Sequence, residues 1–218
     1  MDIAPPLIAA LVFFALGWAA GAFQHLLYRD AAHRAGRARG RRALAIRAGV
    51  GTSAAMAAGF AFRPDHYDFG PALLTALFAL VLVVLSSTDF ERRRIPDRLS
   101  YPALAAAFAF CWAWPDRDVA AIFEGLGFAL AVGAVVFGLG LLVGGSVGGL
   151  GLGDVKLMIL IGALLGWPAT MLALLIGMLL GGLPAAFLLL TKRSRTFSYG
   201  PYLAAGALIA LLWPGRFV

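Results

Sequence analysis

The chain has 218 residues, 61% of them hydrophobic and only 13% charged, with a mean hydropathy of +0.88. Soluble domains carry about a quarter charged residues, so this composition excludes a water-soluble globular protein and predicts an all-α, polytopic membrane protein. A single cysteine, Cys111, excludes an intrachain disulfide and a cysteine-rich zinc site, and in such a protein a net charge of +7 points to cytoplasmic loops, not to nucleic acid.

The N-terminus, Met1-Asp2-Ile3, lacks the basic region of a cleavable signal. A first span is expected at 6–28, where Gly17 and Gly21 are spaced for close helix packing. Residues 29–47 hold seven arginines in an Ala/Gly-rich linker too short and too basic to bury a core of its own. The second span is expected at 44–62, and the third at 70–88, ending at Asp89. The polar stretch FERRRIPDRLS follows, in which Pro96 and Asp97 break the chain before a fourth span at 99–114.

Residues 115–118 read as a turn, and a fifth span at 119–143 leads into GGSVGGLGLGDVK, residues 144–156. Spans at 155–166, 169–190 and 199–214 complete a single integral membrane domain of about eight helices over residues 1–218. Some of these are shorter than the roughly 20 residues of a straight crossing. Gly162/Gly166 and Gly177/Gly181 repeat the four-residue spacing of small residues and read as packing positions.

Charge sets the orientation. With the linker at 29–47 inside, 15 of the 18 basic residues fall on one side, and only Arg63, Arg117 and Arg216 fall on the other. The positive-inside rule then places both termini outside and Asp89 and Asp154 at the cytoplasmic ends of their spans, at one depth. An ionisable residue at the mouth of a span is costly and marks function by default. Two carboxylates brought together cannot both ionise easily, so one proton is shared: the charged member can activate water while the protonated one donates to a carbonyl. That chemistry hydrolyses a peptide bond without metal or cofactor. The alternatives are a cap for the following helix in the case of Asp154, and a solvated ion pair with Arg92 or Arg93 in the case of Asp89. Glu91 and Asp97, close to Asp89 in sequence, are candidates for substrate contact. His25, His33 and His66 are too scattered for a metal site. A proton-coupled transporter and a non-catalytic assembly subunit are the competing functions.

At these residues the chain resembles the type IV prepilin peptidases, members of the GxGD intramembrane aspartic proteases. The resemblance rests on Asp89-Phe-Glu-Arg-Arg-Arg-Ile-Pro-Asp97, on Gly151-Leu-Gly-Asp154-Val-Lys156, and on Tyr199-Gly-Pro-Tyr-Leu-Ala-Ala-Gly206, covering residues 70–210. Residues 17–29 also look like the family's first span. The resemblance implies Asp89 and Asp154 as the catalytic pair. It implies Gly151, Gly153 and Lys156, with Pro96, Asp97 and Glu91, as motif or substrate-groove residues. The implied activity is aspartic endoproteolysis of a prepilin or pseudopilin leader at the cytoplasmic face of a prokaryotic inner membrane, with the lipid bilayer as the other partner and no cofactor. Bifunctional members carry a cysteine-containing insert between the first two spans, associated with N-methylation. Here that place holds only residues 29–47, which implies a peptidase-only form.

Reporter fusions after residues 40, 94 and 195 should read cytoplasmic, and fusions near 66 and 116 external. Opposite sides for positions 94 and 195 would remove the common depth of the two aspartates.

Overall fold

A computed structural model of the chain describes residues 4–28, 38–64, 67–114, 117–142, 151–190 and 198–213. The expectations for part of the arginine-rich linker, for His33 and His66, for most of the glycine run and for Lys192, Arg193 and Arg195 lie outside the described residues. Among the described residues there are eight α-helices and no strand: α1 (Ala4–Phe23), α2 (Gly40–Ala61), α3 (Phe69–Arg92), α4 (Asp97–Ala109), α5 (Val119–Leu142), α6 (Leu152–Leu165), α7 (Ala169–Leu190) and α8 (Gly200–Leu212). Short 3₁₀ turns follow α1 at Gln24–Leu27 and α4 at Cys111–Ala113.

The eight helices fall in the expected order, with different bounds. Ala4–Leu27, α2, α3 and most of α5 have the length and apolar composition to cross a bilayer, and α7 and α8 supply shorter apolar segments. α6 has 14 residues, about 21 Å at 1.5 Å per residue, against a hydrocarbon core of about 30 Å. It is short because protein surrounds it. Leu157, Met158 and every residue from Leu160 to Leu165, Gly162 and Ala163 included, are buried, so this end of the helix is enclosed on all sides, as expected of a helix apolar all round. Helices α4, α5, α7 and α8 pack against it, while α1 lies along α2 and keeps Leu7, Ile8 and Leu11 exposed for lipid.

Two boundaries move chemistry. α3 runs past the expected end at residue 88 to Arg92, so Asp89 sits inside the last helical turn, and Arg93 ends the helix with φ +53° and its N–H on the Asp89 carbonyl at 2.7 Å. α2 starts at Gly40, not at 44, so Arg41, Arg42 and Arg47 belong to a helix and not to a linker. Arginine and alanine favour helix, and an arginine near a span end can lay its stem on apolar surface with its charge toward water.

Close glycine contacts fix α6. A Cβ at Gly162 would sit 2.7 Å from the Gly125 carbonyl oxygen and 2.8 Å from the Ala129 Cβ, so α5 and α6 approach to a distance only glycine permits. Its expected packing partner, Gly166, also lies against α5, its carbonyl carbon 2.7 Å from where a Gly125 Cβ would be, and it ends α6 with φ +67°, a turn that glycine allows at little cost. Gly17 behaves as expected, with its missing Cβ only 2.8 Å from the Val50 carbonyl oxygen of α2.

Gly162→Leu should therefore lower thermal stability in detergent by about 1–3 kcal/mol through overpacking. Gly127→Ala, whose added methyl meets nothing within 4 Å, should leave it unchanged or slightly higher. Equal melting behaviour of Gly162→Leu and the unaltered protein would remove the close α5–α6 contact as the element that seats α6.

Candidate active site

Asp89 is 6% exposed, in the last turn of α3. Its Oδ2 accepts the Ser198 hydroxyl and, at 3.1 Å, the main-chain N–H of Gly200. Gly200 opens α8, and Pro201 follows it. Proline is well suited to the first helical turn, where N–H groups have no partner within the helix. The N–H that α8 cannot use is thus spent on the carboxylate, at the positive end of the helix dipole. Space is also tight there: a Cβ at Gly200 would lie 2.5 Å from the Asp89 Oδ2. The carboxylate is thus buried and not solvated, held by these hydrogen bonds with the Arg93 charge acting on it as well. Arg92 lies over the Tyr28 ring, 4.9 Å from its centre.

Asp154 is held by the same principle at another helix start. Its Oδ2 accepts the Gly151 N–H at 2.9 Å, while its own N–H reaches the Gly151 carbonyl oxygen at 3.0 Å. The capping role foreseen for Asp154 is therefore real, but it occupies one carboxylate oxygen only. On both aspartates the hydrogen bonds from described residues go to Oδ2, and Oδ1 receives none.

Both carboxylates line one cavity of about 510 Å³, reached by α3, α4 and the start of α6. Pro96, Asp97, Gly151, Gly153 and Lys156 line it as well, so seven of the eight residues singled out from sequence meet at this place. Asp97 accepts a hydrogen bond from Lys156 Nζ at 2.7 Å, and that ammonium lies 5.2 Å from the centre of the Tyr101 ring, tying α6 to α4 beside the cavity. Both charges are about one-third exposed, so the pair contributes about 1 kcal/mol at most. At Gly151 and Gly153 no neighbour forbids a Cβ: the nearest atoms are 3.8 Å and 3.6 Å away. What glycine leaves there is bare backbone along one wall of the cavity.

Glu91 is the exception. Its side chain is 7% exposed and lies away from the cavity, accepting a hydrogen bond from Gln24 Nε2 at 2.6 Å with Arg42 and Arg92 within 4 Å. Two positions along a helix rotate a side chain by about 200°, so nearness to Asp89 in sequence put it on the opposite face.

The sequence reading gave no role to Ser198, nor to Gly200 and Tyr28, which it met only within the stretches 199–206 and 17–29. The Gly-Pro pair at 200–201 does signal a helix start. Nothing in the local sequence tells that the start faces Asp89, 111 residues earlier in the chain.

Comparison with known proteins matches residues 76–186 to the type IV leader peptidase family. The prepilin leader peptidase/N-methyltransferase of Aeromonas hydrophila is 33% identical over 145 residues, 65% of this chain and 49% of its own length. The protein of that name in Escherichia coli (strain K12) is 34% identical over 149 residues, 66% of this chain and 65% of its own. That of Pseudomonas aeruginosa is 33% identical over 143 residues, covering 61% and 46%. The chain spans about half the length of most of these relatives. No solved structure matches it.

Gly200→Ala should push the Asp89 carboxylate out of its seat and lower activity at this centre by about tenfold or more, since small misplacements of reacting groups are expensive. The measurement is turnover at matched protein level and unchanged melting temperature. Wild-type turnover in that variant would show that the α8 start does not seat Asp89.

Proposed function

The chain belongs to the type IV leader peptidase family, and from that premise we propose that it is an aspartic endopeptidase removing the basic leader of type IV prepilin or pseudopilin-like proteins, with Asp89 and Asp154 as its catalytic pair. The observation that carries this reading is the convergence of two carboxylates, one from α3 and one from α6, on a single cavity. Each is fixed through Oδ2 by a main-chain N–H, and its Oδ1 receives no hydrogen bond from the described residues.

Two carboxylates in one cavity share a proton, and their titration belongs to the pair. The ionised member takes a proton from water as the water oxygen attacks the scissile carbonyl carbon. The protonated member gives its proton to the carbonyl oxygen, forming a neutral tetrahedral diol. Collapse of the diol breaks the C–N bond. One carboxylate takes back a hydroxyl proton, the other protonates the departing nitrogen, and the pair returns to one shared proton. The substrate must be extended here, because a helix ties up the carbonyl to be attacked. The bare backbone at Gly151 and Gly153 leaves room for an extended strand along that wall.

Asp97, Pro96 and Lys156 are proposed to shape the substrate groove, and Asp97 offers a carboxylate to a basic leader. Glu91 is left out of that set. The motifs at 70–210 form the peptidase region of a single integral membrane domain. The site is proposed to open at the cytoplasmic face of the inner membrane of a prokaryote, with both termini outside, on the strength of the charge asymmetry. A peptidase-only activity is proposed as well: α2 starts at Gly40, so the segment after α1 has no length to build a pocket for a methyl donor.

The test uses purified protein in vesicles, a synthetic substrate made of a short basic leader ending in glycine joined to an apolar helix, and added S-adenosylmethionine. Mass spectrometry should find the leader removed and no methyl group on the new N-terminus. Asp89→Asn and Asp154→Asn should each lower cleavage by about a thousandfold or more, and the double variant no further, because the two act as one unit. Substantial cleavage by either single variant removes that residue from the pair, and an added methyl group overturns the peptidase-only reading.

A further inference from the structure

The family match begins at residue 76, yet the turn that carries Asp89 is gripped by residues far upstream of it. The 3₁₀ turn after α1 presents Gln24, which is 4% exposed. Its Nε2 donates to Glu91 at 2.6 Å, and its Oε1 accepts the Ser87 hydroxyl at 3.0 Å. Tyr28 donates to the Thr88 carbonyl oxygen at 3.4 Å, and Arg98 of α4 donates to the Leu26 carbonyl oxygen at 3.1 Å. Residues 87, 88 and 91 of α3, on both sides of Asp89, are thus bonded to Gln24 and Tyr28.

This grip is built of buried polar groups, which cost free energy unless every partner is in place. Glu91 would be an unfavourable buried charge without Gln24, Arg42 and Arg92 around it. No step of the hydrolysis uses these residues. Gln24 and Glu91 lie outside the cavity lining, Tyr28 reaches the cavity, and the start of α8 holds Asp89 itself. The last turn of α3 is therefore held from two directions, by α8 through the carboxylate and by the 24–28 segment through the turn that carries it.

We propose that Gln24 and Glu91 are positioning residues: their hydrogen bond fixes the rotation and height of the last turn of α3, and so aims Asp89 at Asp154. The inference rests on the two-aspartate reading for its kinetic test, and its spectroscopic test is independent of any substrate. Charged and titratable groups sharing the cavity with Asp89 are Tyr28, Arg93, Arg94, Asp97, Asp154 and Lys156. A tilt of this turn would change its distance to each of them.

Four proteins decide the matter. Gln24→Met removes the donor at similar volume. Gln24→Glu sets a second carboxylate against Glu91. The exchange Gln24→Glu/Glu91→Gln restores the hydrogen bond with its polarity reversed, and the unaltered protein is the reference. On the synthetic leader–helix substrate, kcat should fall by about 10- to 100-fold in both single variants while KM stays within about threefold, the pattern of a misaimed group rather than a lost binding contact. The exchange should recover at least about a third of the reference kcat. In the same proteins without substrate, infrared titration of the carboxyl band that Asp89→Asn abolishes should show a displaced midpoint in Gln24→Met and a restored one in the exchange.

Reference kcat in Gln24→Met, a fall expressed only as raised KM, or an unmoved carboxyl midpoint overturns the proposal. So does an exchange as impaired as Gln24→Glu alone. If the unaltered protein does not cleave the substrate and the midpoint still moves, the peptidase reading falls and the positioning role stands. Should Gln24→Glu not fold, Gln24→Met and the exchange suffice on their own: an exchange as impaired as Gln24→Met then overturns the proposal.

Discussion

A carboxylate taken out of bulk water must be given hydrogen bonds, and in this protein the first N–H groups of two helices supply them. Gly200 at the start of α8 serves Asp89, and Gly151 at the start of α6 serves Asp154. Helix starts carry N–H groups that the helix cannot use and a partial positive charge, so they suit anions without any added cation. Once that arrangement is adopted, the remaining helices face one geometric demand. They must deliver the start of α6, the start of α8 and the end of α3 to the same level. The short α6, enclosed over most of residues 157–165, and its glycine-tight contact with α5 meet that demand for one aspartate. The two-sided hold on the last turn of α3 meets it for the other.

How far the sequence discloses this depends on which physical signal each residue leaves. Asp89 and Asp154 stand out because ionisable residues at the ends of apolar spans are rare and expensive. Pro96 and Lys156 were legible through the family resemblance and Asp97 also through its nearness to Asp89 in sequence, and all three line the cavity. The helix count and order were legible from apolar runs. Helix ends were less so: α3 continues through Asp89 to Arg92 because charged residues at a membrane surface do not stop a helix, and only the left-handed Arg93 does. Glu91 was misjudged from proximity in sequence, which a helix converts into opposite faces. Ser198 was silent, since a hydroxyl more than a hundred residues from its partner leaves no local pattern.

The division of labour among the polar residues follows from their burial. Asp97 and Lys156 are partly exposed and screened, so their pair guides and shapes with little energy at stake. Glu91 and Gln24 are buried, where a missing partner is costly, and a buried network of this kind specifies one arrangement of its helices. The specified geometry thus lies on the turn that carries Asp89, and the loose geometry at the cavity wall.

That Asp89 and Asp154 face each other across one cavity is tested most directly with Asp89→Cys/Asp154→Cys in a Cys111→Ser background, which leaves no other thiol in the chain. A short bifunctional thiol reagent applied in native membranes should join the two positions within one chain, seen as a single linked peptide pair after digestion. Efficient linkage, lost on denaturation before treatment, is the expected result. Two thiols that both react with a monofunctional reagent but never link to each other would contradict it.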